Sequence, residues 1–200
     1  MQGDLFGNEL RNLPAGFRYF RNAVPQAMQD ALLSEISGLP FKAFDFHGFE
    51  GKRRVVSYGW RYDFDAASLR KSDDVPVFLF PLRELAAGFA GLPAKQLQQV
   101  LVTEYDIGSP IGWHRDKGVF GVVVGISLLS SCTFRLRRKI GLKWERVSIT
   151  RRTRFDLCAV RAGEGRLGAT HSSRRASAFF DYIPRTGQQL HRLGVQSHRV

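Results

Sequence analysis

The chain has 200 residues, 44% hydrophobic and 24% charged, with a formal net charge of +12. This is the make-up of one globular domain, able to bury roughly 70% of its unfolded surface without staples. Two cysteines, Cys132 and Cys158, exclude a disulfide framework. The longest apolar run, Val119–Leu129, is far short of the ~20 residues a spanning helix needs. No basic-then-apolar leader opens the chain, so a cytoplasmic monomer with no membrane partner is expected.

In chain order, Phe17–Phe20 reads as a short strand. Pro25 opens a helix to about Ser37, because proline suits the first helical turn and Met28, Leu32, Leu33 and Ile36 recur at helical spacing. Residues 41–49, with Phe41, Phe44, Phe46 and Phe49, read as a strand and turn. Arg54–Phe64 reads as one strand, rich in β-branched and aromatic residues. Pro76–Phe89 is a second helix with Leu79, Leu82 and Leu85 on one face. Strands follow at about 98–106, 121–129, 132–138 and 143–149, with turns at 106–110 and 140–142. Helices first and many short strands afterwards predict an α+β, mainly β fold: a sandwich with helices packed on one side. A distorted double-sheet jelly roll accommodates that order.

The charge is uneven. Residues 151–200 hold ten Arg, no Lys and three acids, which is +7 of the +12. A basic surface favours polyanions, of which nucleic acid is the usual one, but residues 1–150 are only mildly basic.

The most informative stretch is Gly112-Trp-His-Arg-Asp116, which follows the strand-like run Gln99–Tyr105. On an extended backbone, positions i and i+2 share a side, so His114 and Asp116 can converge on one point. An imidazole and a carboxylate so placed are two-thirds of a 2-His-1-carboxylate triad, the ligand set of non-haem Fe(II) oxygenases. Trp113, between them, is expected to face away and pack in a sheet. His-Arg-Asp also opens a protein-kinase catalytic loop, but that loop needs Asn five residues after the Asp and position 121 is Gly. Gly163-Glu-Gly165-Arg-Leu-Gly168 fits a dinucleotide fingerprint, yet His-Ser-Ser-Arg-Arg follows where a helix should open.

From about Phe17 to Ile149 the chain resembles the AlkB-type 2-oxoglutarate/Fe(II)-dependent dioxygenases. Val100–Asp116, Phe120–Leu129 and Gly51–Phe64 carry the resemblance. It implies a distorted double-stranded β-helix, Fe(II) as cofactor and 2-oxoglutarate as cosubstrate. It further implies oxidative dealkylation of bases in DNA or RNA. His114 and Asp116 would hold the iron, and Tyr105 would contact 2-oxoglutarate. Thr103 stands where the family has Asn, which removes one hydrogen bond to the cosubstrate. Tyr58, Trp60 and Tyr62 alternate along the predicted strand and would share a face, either as sheet core or as a platform stacking an extracted base. Lys52-Arg-Arg54 just upstream could touch phosphates. Two other readings stay open: a catalytically inactive relative that binds nucleic acid, and an oxygenase of the same fold acting on protein side chains.

Near residue 150 the family pattern stops. Shifting the reading frame by one base from Arg151 allows residues 151–162 to read Ala-Glu-Pro-Gly-Ser-Ile-Tyr-Val-Leu-Ser-Gly-Pro. It allows residues 178–184 to read Arg-Phe-Ser-Ile-Thr-Phe-Arg, which restores the pattern. Residues 1–150 are therefore expected to be a dioxygenase core lacking its last strands, and residues 151–200 an Arg-rich tail out of frame. In the chain as it stands, His171, 57 residues after His114, is the candidate third ligand. Arg185 is the candidate partner of the cosubstrate carboxylate, for which a planar guanidinium is suited.

Overall fold

The computed structural model describes residues 17–46, 49–106, 119–128, 132–140, 142–151, 157–161, 175–182 and 194–199. In chain order these form β1 (Phe17–Phe20), α1 (Gln26–Ser37), β2 (Lys42–Phe46), β3 (Phe49–Tyr58), β4 (Trp60–Asp63), β5 (Ser68–Lys71), α2 (Phe80–Ala90), β6 (Leu97–Tyr105) and β7 (Phe120–Leu128). There follow β8 (Cys132–Ile140), β9 (Lys143–Arg151), β10 (Leu157–Arg161), β11 (Arg175–Tyr182) and β12 (Gly194–Arg199). The fold is mainly β with few helices, as expected. Among the described residues no helix is long and apolar enough to cross a membrane.

Both helices form for local reasons. Pro25 is extended (φ −58°, ψ 144°) and its carbonyl accepts from Gln29 N at 3.0 Å, so α1 starts one residue after it. Gln29, Leu32 and Ile36 make its buried stripe. α2 carries Pro81 in its first turn, where a missing N–H costs nothing. It stops at Gly91, whose φ of 67° is left-handed and sends its N–H back to Gly88 O. Leu82, Ala86, Ala87 and Ala90 are its buried face.

Seven strands form the main sheet in the order β1-β10-β7-β11-β6-β3-β2. β12-β8-β9 make a second sheet, and β4-β5 a two-stranded ribbon. Leu32 and Ile36 of α1, Leu79 just before α2, and Leu82 and Ala86 of α2 cluster with Tyr58, Val100, Val102, Val124, Ile126 and Leu128 from β3, β6 and β7. Each large side chain so buried contributes about 1.5–3 kcal/mol. The helices therefore cover one face of the sheet, as their order in the sequence predicts.

Two features go beyond what the sequence indicated. Here β11 runs parallel to both β6 and β7, and β12 parallel to β8, so the main sheet is mixed. Residues beyond 150 enter the main sheet as well: β10 lies between β1 and β7, and β11 between β7 and β6.

The second difference is at Gly59. The predicted strand Arg54–Phe64 is two strands, broken where Gly59 takes φ 72°. A Cβ there would collide with the carbonyl oxygen of Gln98, so only glycine fits. Gly59 N donates to Asp73 O at 2.6 Å, and Ser72 N donates to Gly59 O at 3.1 Å. These bonds turn the chain out of the main sheet into the ribbon.

Candidate functional site

The face of the main sheet opposite the helices is built by strand alternation. Val100 and Val102 of β6 point into the helix-covered core, so Gln99, Leu101, Thr103 and Tyr105 belong to the other face. On β7, Val124 and Ile126 belong to the core cluster, which places Val123, Gly125 and Ser127 on that same other face. On β3 the register sets Val55 opposite Thr103 and Arg53 opposite Tyr105, and directly paired residues share a face.

This second face buries polar side chains beside apolar ones such as Val123. Gln99 is 4% exposed, Thr103 3%, Tyr105 4% and Ser127 1%. Gln99 Oε1 is fully buried with no hydrogen-bond partner among the described residues. Leaving such an acceptor unpaired costs about 1–3 kcal/mol, which makes it a group that a ligand or water would complete. Sequence reasoning named Tyr105 and Thr103 here, and Arg53 as a phosphate contact, but missed Gln99 and Ser127. The signal was available: polar side chains at alternate positions within an otherwise β-branched run.

At the Tyr105 end of this face, cations and aromatics are layered. The Arg53 guanidinium lies 3.8 Å from the Phe44 ring centre. Phe44 meets Phe64 edge-on at 6.0 Å, and Phe64 meets Tyr62 at 5.2 Å. Arg54, on the opposite side of β3, donates from Nε to Glu104 Oε2 at 2.6 Å across the ladder and lies over Phe41. The β4–β5 ribbon turns at Asp63. Its Oδ1 accepts from Ala66 N (2.9 Å) and Asp65 N (3.1 Å), and its Oδ2 pairs with Arg70 (2.7 Å). The Ala66 N–H, opposed by some desolvation and helped by the Arg70 charge, holds the Asp63 carboxyl below its usual range.

The predicted site residues are distributed as follows. Tyr105 sits on the buried polar face. Trp60 and Tyr62 are half-buried on one face of the ribbon. Tyr58 does not join them: the break at Gly59 leaves it on β3, in the helix-side core. Burial, with a smaller contribution from the Asp73 charge, pushes its phenol pKa up. His114, Asp116, Trp113, His171 and Arg185 lie outside the described residues. Among the described residues no three His, Cys, Asp or Glu side chains group to hold a metal.

β6 and β7 both run parallel to β11. The chain therefore leaves one end of the sheet at Tyr105 and re-enters it at the other end at Phe120. A return of this kind is the crossover that parallel strands require. In comparisons with known proteins, no family model and no curated protein matches the chain.

Proposed function

We propose that the protein is an Fe(II)/2-oxoglutarate-dependent dioxygenase of the AlkB-like type, with a distorted double-stranded β-helix and alkylated bases of DNA or RNA as substrate. One observation carries the reading. Tyr105 and Thr103 lie at one end of a face with buried polar groups, and His114-Arg-Asp116 follows in the sequence between the end of β6 and the start of β7.

The donor set suits the metal, because imidazole and carboxylate together are the ligand types of a non-haem Fe(II) site with open positions. His114 and Asp116 would hold it, and His171 is the candidate third ligand in this chain. With 2-oxoglutarate and oxygen, bound Fe(II) would supply hydroxylation of an N-alkyl carbon, giving succinate and CO2. The chain's own residues have other tasks. The Tyr105 hydroxyl would orient the cosubstrate, with Arg185 on its carboxylate. The Trp60 and Tyr62 rings would receive a base taken out of its stack. The walls of the polar face would keep water from the reacting carbon.

The test is iron stoichiometry and succinate formation by the purified chain under controlled oxygen. Wild type is expected to bind about one Fe(II) and to turn over 2-oxoglutarate, and a His114→Ala/Asp116→Ala variant to do neither. Equal behaviour of the two proteins would sink the reading. A nucleic-acid-binding relative without turnover is the second reading, favoured by the +12 charge; it predicts oligonucleotide binding with no iron.

The tail belongs to the same proposal. β10 (Leu157–Arg161) and β11 (Arg175–Tyr182) fall close to the two stretches that the shifted frame would turn into strands. A single-base shift near codon 150 accounts for the loss of the family pattern at that point. The nucleotide sequence there tests it, and codons that cannot yield the shifted reading would end it.

A further inference from the structure

β2 and β3 fall out of step at one point. Ala43 pairs with Arg54, but the next residue, Phe44, pairs with Gly51, so Lys52 and Arg53 face no residue of β2. An interruption of this kind is a β-bulge, and bulges re-aim side chains beside functional sites. The side chain re-aimed is that of Arg53, whose guanidinium lies over the Phe44 ring, 3.8 Å from its centre. On its other edge β3 keeps its register, with Arg53 opposite Tyr105 and Val55 opposite Thr103. Directly paired residues share a face, so Arg53 joins the face on which Thr103 and Tyr105 are buried.

The charge of Arg53 is a second observation. Arg54, on the opposite side of β3, pairs with Glu104, and Arg70 pairs with Asp63. Arg53 is half-buried and has no carboxylate partner among the described residues. A guanidinium partly withdrawn from water gains most when an anion completes it. With one flat side on Phe44, it keeps its edge N–H groups, and that fork matches a carboxylate bidentately. Tyr105 and Thr103 beside it are 4% and 3% exposed. Neighbours so withdrawn suit a small molecule that buries itself, whereas backbone phosphates are held at exposed cations.

We infer that Arg53 takes a carboxylate of a small dicarboxylate at the Tyr105 end of this face. The inference rests on the oxygenase reading for the identity of that ligand, 2-oxoglutarate. It adds to the proposed site a guanidinium from β3, a strand from which neither spacing nor resemblance drew a cosubstrate contact. The bulge and the Phe44 ring fix the guanidinium, and Tyr105 across the ladder fixes where the carboxylate lies.

The test is isothermal titration of 2-oxoglutarate, and separately of glutarate, into the full chain with EDTA present, so that no metal contributes. Wild type is expected to bind both, since glutarate keeps the two carboxylates. Arg53→Gln is expected to weaken both about 10- to 100-fold, as when a hydrogen bond to a charged group is lost. Arg53→Lys keeps the charge without the fork and is expected to recover only part of the affinity. Arg54→Gln, which removes the same charge from the opposite side of β3, leaves both affinities unchanged. Circular dichroism confirms folding. Should Arg53→Gln fail to fold, phenylglyoxal labelling of wild type with peptide mass mapping reads the same contact: 2-oxoglutarate protects Arg53 and not the exposed Arg61. Unchanged affinity in folded Arg53→Gln overturns the inference, as does an equal loss in Arg54→Gln. So does failure of wild type to bind either dicarboxylate, or an effect of Arg53→Gln confined to binding of a labelled oligonucleotide. Arg53-dependent dicarboxylate binding by a chain that takes up no Fe(II) and forms no succinate supports the inference and removes the oxygenase reading. Iron uptake and succinate formation with wild-type affinity in Arg53→Gln do the opposite.

Discussion

The two faces of the seven-stranded sheet are made by the same strands and differ in what they bury. On the helix side, Val100, Val102, Val124 and Ile126 meet Leu82, Ile36 and Leu32, with the Tyr58 hydroxyl and the Gln29 amide as the polar groups buried beside them. On the other side, equally inaccessible positions hold Gln99, Thr103, Tyr105 and Ser127. Of these, Gln99 Oε1 has no partner among the described residues, and burying such a group is costly. The asymmetry teaches that the helix-side face carries most of the apolar core, while the other face is where the proposed ligand site would lie.

Substitutions on each side can break or sharpen that contrast. Leu82→Ala should have the largest effect, lowering stability by about 3 kcal/mol through lost burial and a cavity. Chemical denaturation reads it, and iron affinity of the folded fraction should not move. If His114 holds iron as proposed, His114→Ala should do the reverse, weakening Fe(II) binding about 100-fold by the measure of what altered ligand environments cost while leaving the denaturation midpoint in place. A shift in both properties for either variant would blur the division of labour.

Gly59→Ala should cost about 2 kcal/mol, since it combines a left-handed backbone with a clash against Gln98 O. Its effect on thermal melting should exceed that of any exposed ribbon substitution. Tyr105→Phe should change stability by about 1 kcal/mol or less, the net worth of one hydrogen bond, yet raise the 2-oxoglutarate concentration needed for half-maximal turnover. An unchanged requirement would remove Tyr105 from the site.

The smallest effect belongs to Asp63. Its folded pKa is depressed, so its contribution to stability is present above the unfolded value and is lost as pH falls through the folded one. Asp63→Asn should melt slightly earlier than wild type near pH 6. The two proteins should converge as pH drops from about 4 toward the lowered pKa; a gap that persists in acid would assign the turn's stability to shape and not to charge.

Much of this was legible in the chain. The helical spacing of Leu32 and Ile36, and of Leu79 and Leu82, located both helices and their buried stripes. Alternation located β6 to β9 to within two residues at each end. His114-x-Asp116 stood out because few side-chain types bind iron and their spacing is local. The break at Gly59 was not legible, because the collision that requires glycine comes from Gln98, a residue distant in sequence. Tyr58, Trp60 and Tyr62 therefore looked like one stripe, although the chain turns between the first and the second. The orphaned Gln99 was equally hidden, since its composition and spacing do not say whether a partner waits across the sheet.

By itself the sequence determined what depends on neighbours along the chain: the amphipathic helices, the strand periodicity, the basic charge and the candidate ligand pair. These follow from backbone geometry and side-chain type, which act over a few residues. Only the tertiary structure decided which strands adjoin, that β11 lies parallel between β6 and β7, and which face of the sheet the helices leave to polar groups. It also decided that Arg53 and Tyr105 stand opposite each other in the ladder. Those outcomes depend on contacts between distant segments, and they are fixed only when the whole chain divides its buried surface between competing partners.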